Sequence, residues 1–201
     1  MLNENALDDE IVIVFMCKSN SARSVVAECI ARKKWQGQGC QEPALDGCPF
    51  PGWEGTKKSF YSAGTQIKKD SSSSTGIKIG VTKALERAGY DILGLRSKGI
   101  TSLTEELGDR RIHYVVTMCC EAEGDLKCNV TVRRALGLES ANPLVPKHLS
   151  FPVCAPTDAC RREGLTGEEE AANPFYDRLI HDVECFVEQL PTFLNSAEPM
   201  K

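Results

Sequence analysis

Histidine is scarce in this 201-residue chain: only His113, His148 and His181 occur, widely spaced, and none suggests a cysteine–histidine pair. No Cys-x2-Cys pair occurs either. A structural zinc site is therefore disfavoured. Neither Gly-x-Gly-x-x-Gly nor Gly-x4-Gly-Lys occurs, so dinucleotide and nucleoside-triphosphate sites lack support. Basic runs are missing and the net charge is −4, which argues against a nucleic-acid partner. No apolar stretch reaches membrane-spanning length, so no membrane partner is expected. Residues 1–10 are acidic and polar, unlike a secretory signal or an Arg-rich transit peptide. The expected location is cytoplasmic.

Hydrophobic residues make up 41% of the chain and charged residues 26%, which are globular proportions. The length suits one α/β domain over residues 1–201 carrying a loop insertion. Ten cysteines stand out: Cys17, Cys29, Cys40, Cys48, Cys119, Cys120, Cys128, Cys154, Cys160 and Cys185. Without a signal segment, and with strand–helix alternation that implies a true core, a secreted disulfide framework is disfavoured. In a reducing compartment such thiols pack, bind metal or do redox chemistry. Redox catalysis remains for a subset.

The stretch that organises the chain is Cys17-Lys18-Ser19-Asn20-Ser21-Ala22-Arg23-Ser24. An apolar run over 11–16 precedes it and an amphipathic segment follows, which reads as strand, tight loop and helix start. Five residues between Cys17 and Arg23 let the loop curl with its N–H groups inward. A ring of amides at a helix N-terminus holds a tetrahedral oxyanion. Arg23 adds a bidentate fork. Cys17 would lie under the central atom, where amides, helix dipole and Arg23 favour its thiolate. The chemistry indicated is nucleophilic attack on a phosphate-like oxyanion.

Elsewhere the pattern predicts strands over 10–16, 59–65, 111–118 and 147–153. It predicts helices from the loop to about Lys34, over 75–89, a short one ending at Leu107, and a long one over 168–190 closed by Pro191. Residues 35–58 are rich in Gly and Pro and read as a surface insertion in which Cys40 and Cys48 are spectators. Residues 121–127 and 154–167 read as loops. Cys119 and Cys120 follow the third strand and so belong at the carboxyl edge of the sheet, the ligand edge of open α/β folds. Cys29 and Cys185 read as helix packing. The alternation gives a parallel sheet with helices on both faces.

The Cys17–Ser24 loop with Ala27 and Glu28, then Ser62-Ala63-Gly64-Thr65, then Val115-Val116-Thr117-Met118-Cys119, resembles the superfamily of low-molecular-weight protein tyrosine phosphatases and thioredoxin-linked arsenate reductases. The resemblance covers most of the chain outside 35–58. It implies a flavodoxin-like four-stranded parallel sheet, Cys17 as nucleophile and Arg23 as anion clamp. The implied general acid is Asp158, although Ala159 follows it where the family usually has proline. On the reductase branch the resemblance implies Cys119 or Cys120 as second nucleophile and Cys128 as the thiol that carries the disulfide outward, on a flexible loop. Eight residues separate Cys119 from Cys128, a longer spacing than the family's usual one. Cys154 and Cys160 flank Asp158 as spare resolving thiols.

Some of these reductases bind potassium. Asn20, Glu28 and Ser62 match three of its ligands, but Lys98 stands where the fourth is an aspartate, so no tight potassium site and no bound cofactor are expected. The electron donor is then thioredoxin or a similar dithiol. The expected activity is arsenate reduction. The first alternative is a phosphatase acting on phosphotyrosine or phosphoarginine, although no tyrosine stands near Asp158. The second is a non-enzymatic oxyanion-binding or redox-sensing protein.

Overall fold

The computed structural model describes residues 10–35, 56–67, 74–139 and 145–200. The insertion's Cys40 and Cys48 lie outside them. β1 (Glu10–Cys17) is central because nearly every residue in it is apolar and buried, as a strand covered on both faces must be. β2 (Lys57–Gly64) pairs with it in parallel on one side and β3 (Tyr114–Thr117) on the other. β4 (Lys147–Ser150) pairs in parallel with β3. The four-stranded parallel sheet read from the sequence is thus present. The two-residue β5 (Glu198–Pro199) adds an antiparallel edge against β4, giving the order β2-β1-β3-β4-β5.

Strand alternation sorts the core into two layers. Ile11, Ile13, Phe15 and Cys17 face a layer built with α1 (Arg23–Trp35), α2 (Ile79–Arg87) and α7 (Asn173–Asn195). Val12, Val14 and Met16 face the other, with α3 (Ile100–Leu107), Leu126 of α4 (Cys120–Cys128) and Val132 of α5 (Val130–Ala135). No helix among the described residues is long and apolar enough to cross a membrane.

Several elements differ from the sequence reading. Residues 121–127 are not a loop but most of α4, which places Glu121 and Glu123 in its first turn and Lys127 in its last, as the helix dipole favours. Ala122 and Leu126, one turn apart, bury its inner face. Gly124 and the sparse apolar content hid the period. The region 154–167 holds α6 (Pro156–Arg162), opened by a proline in its first turn. The 75–89 helix begins at Ile79, because Lys78 is extended at φ −64° and ψ 134°. α7 runs through Pro191 rather than stopping before it, since Leu190, Pro191 and Leu194 are all buried. Cys185 on α7 is exposed, not packed, and its sulfur lies 3.8 Å from Nε2 of His181, one turn earlier. Cys29 does pack, and burial pushes its thiol up to about 11.

Candidate active site

Cys17 ends β1 and Arg23 opens α1, so the loop between them spans the sheet's carboxyl edge and a helix N-terminus. Its carbonyls are tied outward. Cys17 O accepts from Thr65 N at 3.1 Å, Lys18 O from Gln66 N at 2.7 Å, and Ser21 O from Lys78 N at 3.1 Å. Ser19 O accepts from the Ser97 hydroxyl at 3.1 Å. The N–H groups of Ser19, Asn20, Ser21 and Ala22 donate to nothing among the described residues. Turning these carbonyls away leaves a run of amide donors for an anion, the physical content of an oxyanion nest.

Asn20 holds this shape. It is the one non-glycine residue with positive φ, 49°, among those described. Its Oδ1 accepts from Lys98 N at 2.7 Å, which fixes the amide orientation. Nδ2 therefore donates to Ser24 Oγ at 2.9 Å and Ser62 Oγ at 2.8 Å. Having accepted from Asn20, Ser24 Oγ has its own proton to give to Cys17 Sγ, 3.0 Å away. The sulfur thereby gains a donor from a fixed hydroxyl.

Behind this chain Ser62 donates to the carboxylate of Glu28, which is only 2% exposed and also pairs with Arg32. Burial raises the Glu28 carboxyl, against the opposing charges of Arg32 and Lys98. A carboxyl raised on folding is protonated more readily in the folded chain. Its contribution is therefore largest below the ordinary value of 4.5 and is lost as pH rises through the raised one. Glu28→Gln is expected to flatten that part of the pH–stability curve, as read by denaturant unfolding at stepped pH. A slope unchanged from the unsubstituted protein would show that other groups set it.

Gly64, at the end of β2, packs flat against the loop. A Cβ there would meet Ile67 Cδ1 at 2.7 Å and the backbone at Asn20 N and Ser19 C at 3.0 Å. Isoleucine can swing aside; the loop backbone cannot without moving its amides. Gly64→Ala is expected to cost about 1–3 kcal/mol and to weaken anion binding, measured by thermal unfolding with and without phosphate. A full phosphate-induced shift in the variant would show the loop undisturbed.

The loop floors a cleft of about 720 Å³ lined by Cys17, Arg23, Lys78, Glu121, Thr157 and Asp158, among others. Arg23 spends little of its guanidinium on the protein: Nη1 donates to Val153 O at 3.4 Å. Asp158, in the first turn of α6, lines the cleft with its carboxylate 62% exposed and 3.2 Å from Arg161. Cys119 stands at the N-cap position of α4 and is buried beside the loop. Burial pushes its thiol up, while N–H groups of Ala122 and Lys18 and the Arg23 charge pull it back. The Cys17 charge pushes the Cys119 thiol up further.

The other sequence-stated thiols are less gathered. Cys120 and Cys128 are both exposed, at opposite ends of α4. A helix of that length keeps them about 12 Å apart. The relay thiols are therefore not on a flexible loop as expected. Cys154 is exposed with Arg162 Nη2 3.7 Å from its sulfur, and Cys160 is buried on α6. Lys98 lies 8% exposed with its Nζ 3.4 Å from Glu106. Among the described residues no group of three or more His, Cys, Asp or Glu could hold a metal ion.

Two cleft residues escaped the sequence reading. Glu121 follows Cys119-Cys120, and its own N–H at the start of α4 holds its carboxyl below the usual range, helped by the Arg23 and Lys18 charges. An acidic residue in a helix's first turn would have marked it, had α4 been recognised. Lys78 precedes α2 and sends its Nζ to Thr157 Oγ1 at 3.0 Å. No local signal announces it.

No protein-family model matches the chain, and no curated protein matches it. Solved structures do. The chain is similar to YfkJ from Bacillus subtilis, with 20% identity, 93% of this chain and 96% of that one covered, and a TM-score of 0.51. It is similar to the YwlE arginine phosphatase from Geobacillus stearothermophilus, at 13% identity, 92% and 94% coverage, and a TM-score of 0.54. An arsenate reductase from Archaeoglobus fulgidus matches at 15% identity, 90% and 98% coverage, and a TM-score of 0.50. The fold is that of the low-molecular-weight protein tyrosine phosphatases, which phosphatases and arsenate reductases share.

Proposed function

We propose that this protein is an enzyme that reduces arsenate. The observation that carries the reading is the burial of Cys119 against the amide loop that ends in Arg23, within electrostatic reach of Cys17, at the head of a helix whose far end carries Cys128. Arsenate enters the loop as a phosphate look-alike. The Cys17 thiolate attacks arsenic, and Asp158 gives the departing oxygen its proton, so water leaves. A Cys119 thiolate then attacks the Cys17 sulfur. The pair from the sulfur–arsenic bond stays on arsenic, which falls from the pentavalent to the trivalent state and departs as arsenite. The two thiols are left as a disulfide. Cys128 attacks that disulfide at Cys119 and frees Cys17, and a dithiol carrier of thioredoxin type reduces the Cys119–Cys128 bond. Cys120 is the alternative second nucleophile; its exposure places it second.

The test is a coupled assay following NADPH through thioredoxin reductase and thioredoxin, with arsenate present and absent. Arsenate-dependent oxidation is expected. A second reading, hydrolysis of a phosphomonoester or phosphoarginine, is favoured by one observation: Asp158 lines the cleft while α4 holds Cys128 far from Cys119. Efficient aryl-phosphate turnover that survives replacement of Cys119, Cys120 and Cys128, with no arsenate-dependent oxidation, would select it.

A further inference from the structure

A charged strap joins the two walls of the cleft. Lys78 stands on the wall before α2, where its backbone N–H already braces the loop at Ser21 O. Its side chain crosses to α6 and donates to Thr157 Oγ1 at 3.0 Å, one residue before Asp158. The ammonium is partly buried in the cleft that holds Cys17 and Arg23. Burial disfavours its charge, as does Arg23, while Asp158 and Cys17 favour it. A cation is kept there against a solvation cost, beside a guanidinium, and its hydrogen bond to a neutral hydroxyl does not offset that cost.

An anion would. The loop amides and Arg23 suit the three oxygens of a tetraoxo anion nearest Cys17. In-line attack from Cys17 points the fourth oxygen away from the sulfur, into the cleft that Lys78 and Thr157 line. We propose that Lys78 determines specificity by donating to this fourth oxygen, so that the site selects a free tetraoxo anion over its organic ester. This rests on the oxyanion site of the proposed function but not on arsenate chemistry. A free anion presents a charged or hydroxylic fourth oxygen to the ammonium. An ester presents a poor acceptor, and its substituent must part Lys78 from Thr157.

Binding is read without turnover, by protection of Cys17 from iodoacetamide, quantified on its own peptide by mass spectrometry. The probes are inorganic phosphate and phenyl phosphate on the full chain. Lys78→Met, which keeps the length and removes the charge, is expected to raise the phosphate concentration for half-protection about tenfold and the phenyl phosphate value less than about threefold. Lys78→Arg is expected to restore phosphate to within about threefold. Thr157→Val keeps the cation and cuts the strap; phosphate protection is expected to hold and phenyl phosphate to protect at lower concentration. Equal shifts for both anions in Lys78→Met, or no shift, would overturn the assignment, as would a Thr157→Val protein that admits the ester no better. If neither anion protects Cys17 in the unsubstituted protein, the oxyanion site falls and the specificity assignment with it. Protection without arsenate-dependent NADPH oxidation would instead remove only the reductase reading.

Discussion

Cys17→Ser is expected to abolish arsenate-dependent NADPH oxidation and aryl-phosphate hydrolysis alike, by more than about a thousandfold. A serine hydroxyl at this position keeps its proton near neutral pH and is a far weaker nucleophile than a thiolate. The rest of the site should survive. Serine can still pair with Ser24, and the loop's shape depends on Asn20, Lys98, Gly64 and the outward-tied carbonyls rather than on the sulfur. The variant should therefore bind phosphate, seen as a raised unfolding temperature in its presence. Loss of turnover with retained binding separates chemistry from folding. Substantial residual turnover would mean that another group is the nucleophile, and the reading of the loop would fail.

Cys128→Ser is the second large effect. It is expected to release about one arsenite per protein and then stop, because the Cys17–Cys119 disulfide has no thiol to carry it outward. The structure sharpens this expectation. With α4 folded, Cys128 sits at the opposite end of the helix from Cys119, so the third step requires that helix to open. Quenched-flow measurement of arsenite with thioredoxin present would show a burst without a steady state. Sustained turnover in Cys128→Ser would place the relay elsewhere, with Cys120 or Cys154 as the thiols to replace next.

What the sequence revealed, it revealed through local rules. β1 was legible because its unbroken apolar run admits little but a central parallel strand. The anion loop was legible because Cys17, Arg23 and the small residues between them lie on one continuous stretch. The hydrogen-bonding frame around the loop was not. Thr65, Gln66, Lys78 and Ser97 reach it from distant segments, and each does so with a group of no distinctive type. α4 was missed because Gly124 and the charges around it dilute a helical period carried by only Ala122 and Leu126. The Asn129-Val130-Thr131 triplet has a local use: Asn129 caps α5 by accepting from Thr131 N and Val132 N.

Gly124 lies in open space: a Cβ there would meet nothing within 4 Å. Packing does not ask for glycine, yet glycine in a helix interior costs about 1 kcal/mol relative to alanine. Nine residues make a marginal helix on their own. Gln66 and Ser150 hold its outer face from neighbouring segments, at 3.1 Å to Asp125 and 2.8 Å to Glu123. On the reductase reading, such a segment works as a timer. Its unwinding would bring the oxidised pair to its carrier. Until then the catalytic bond would stay hidden from other thiols.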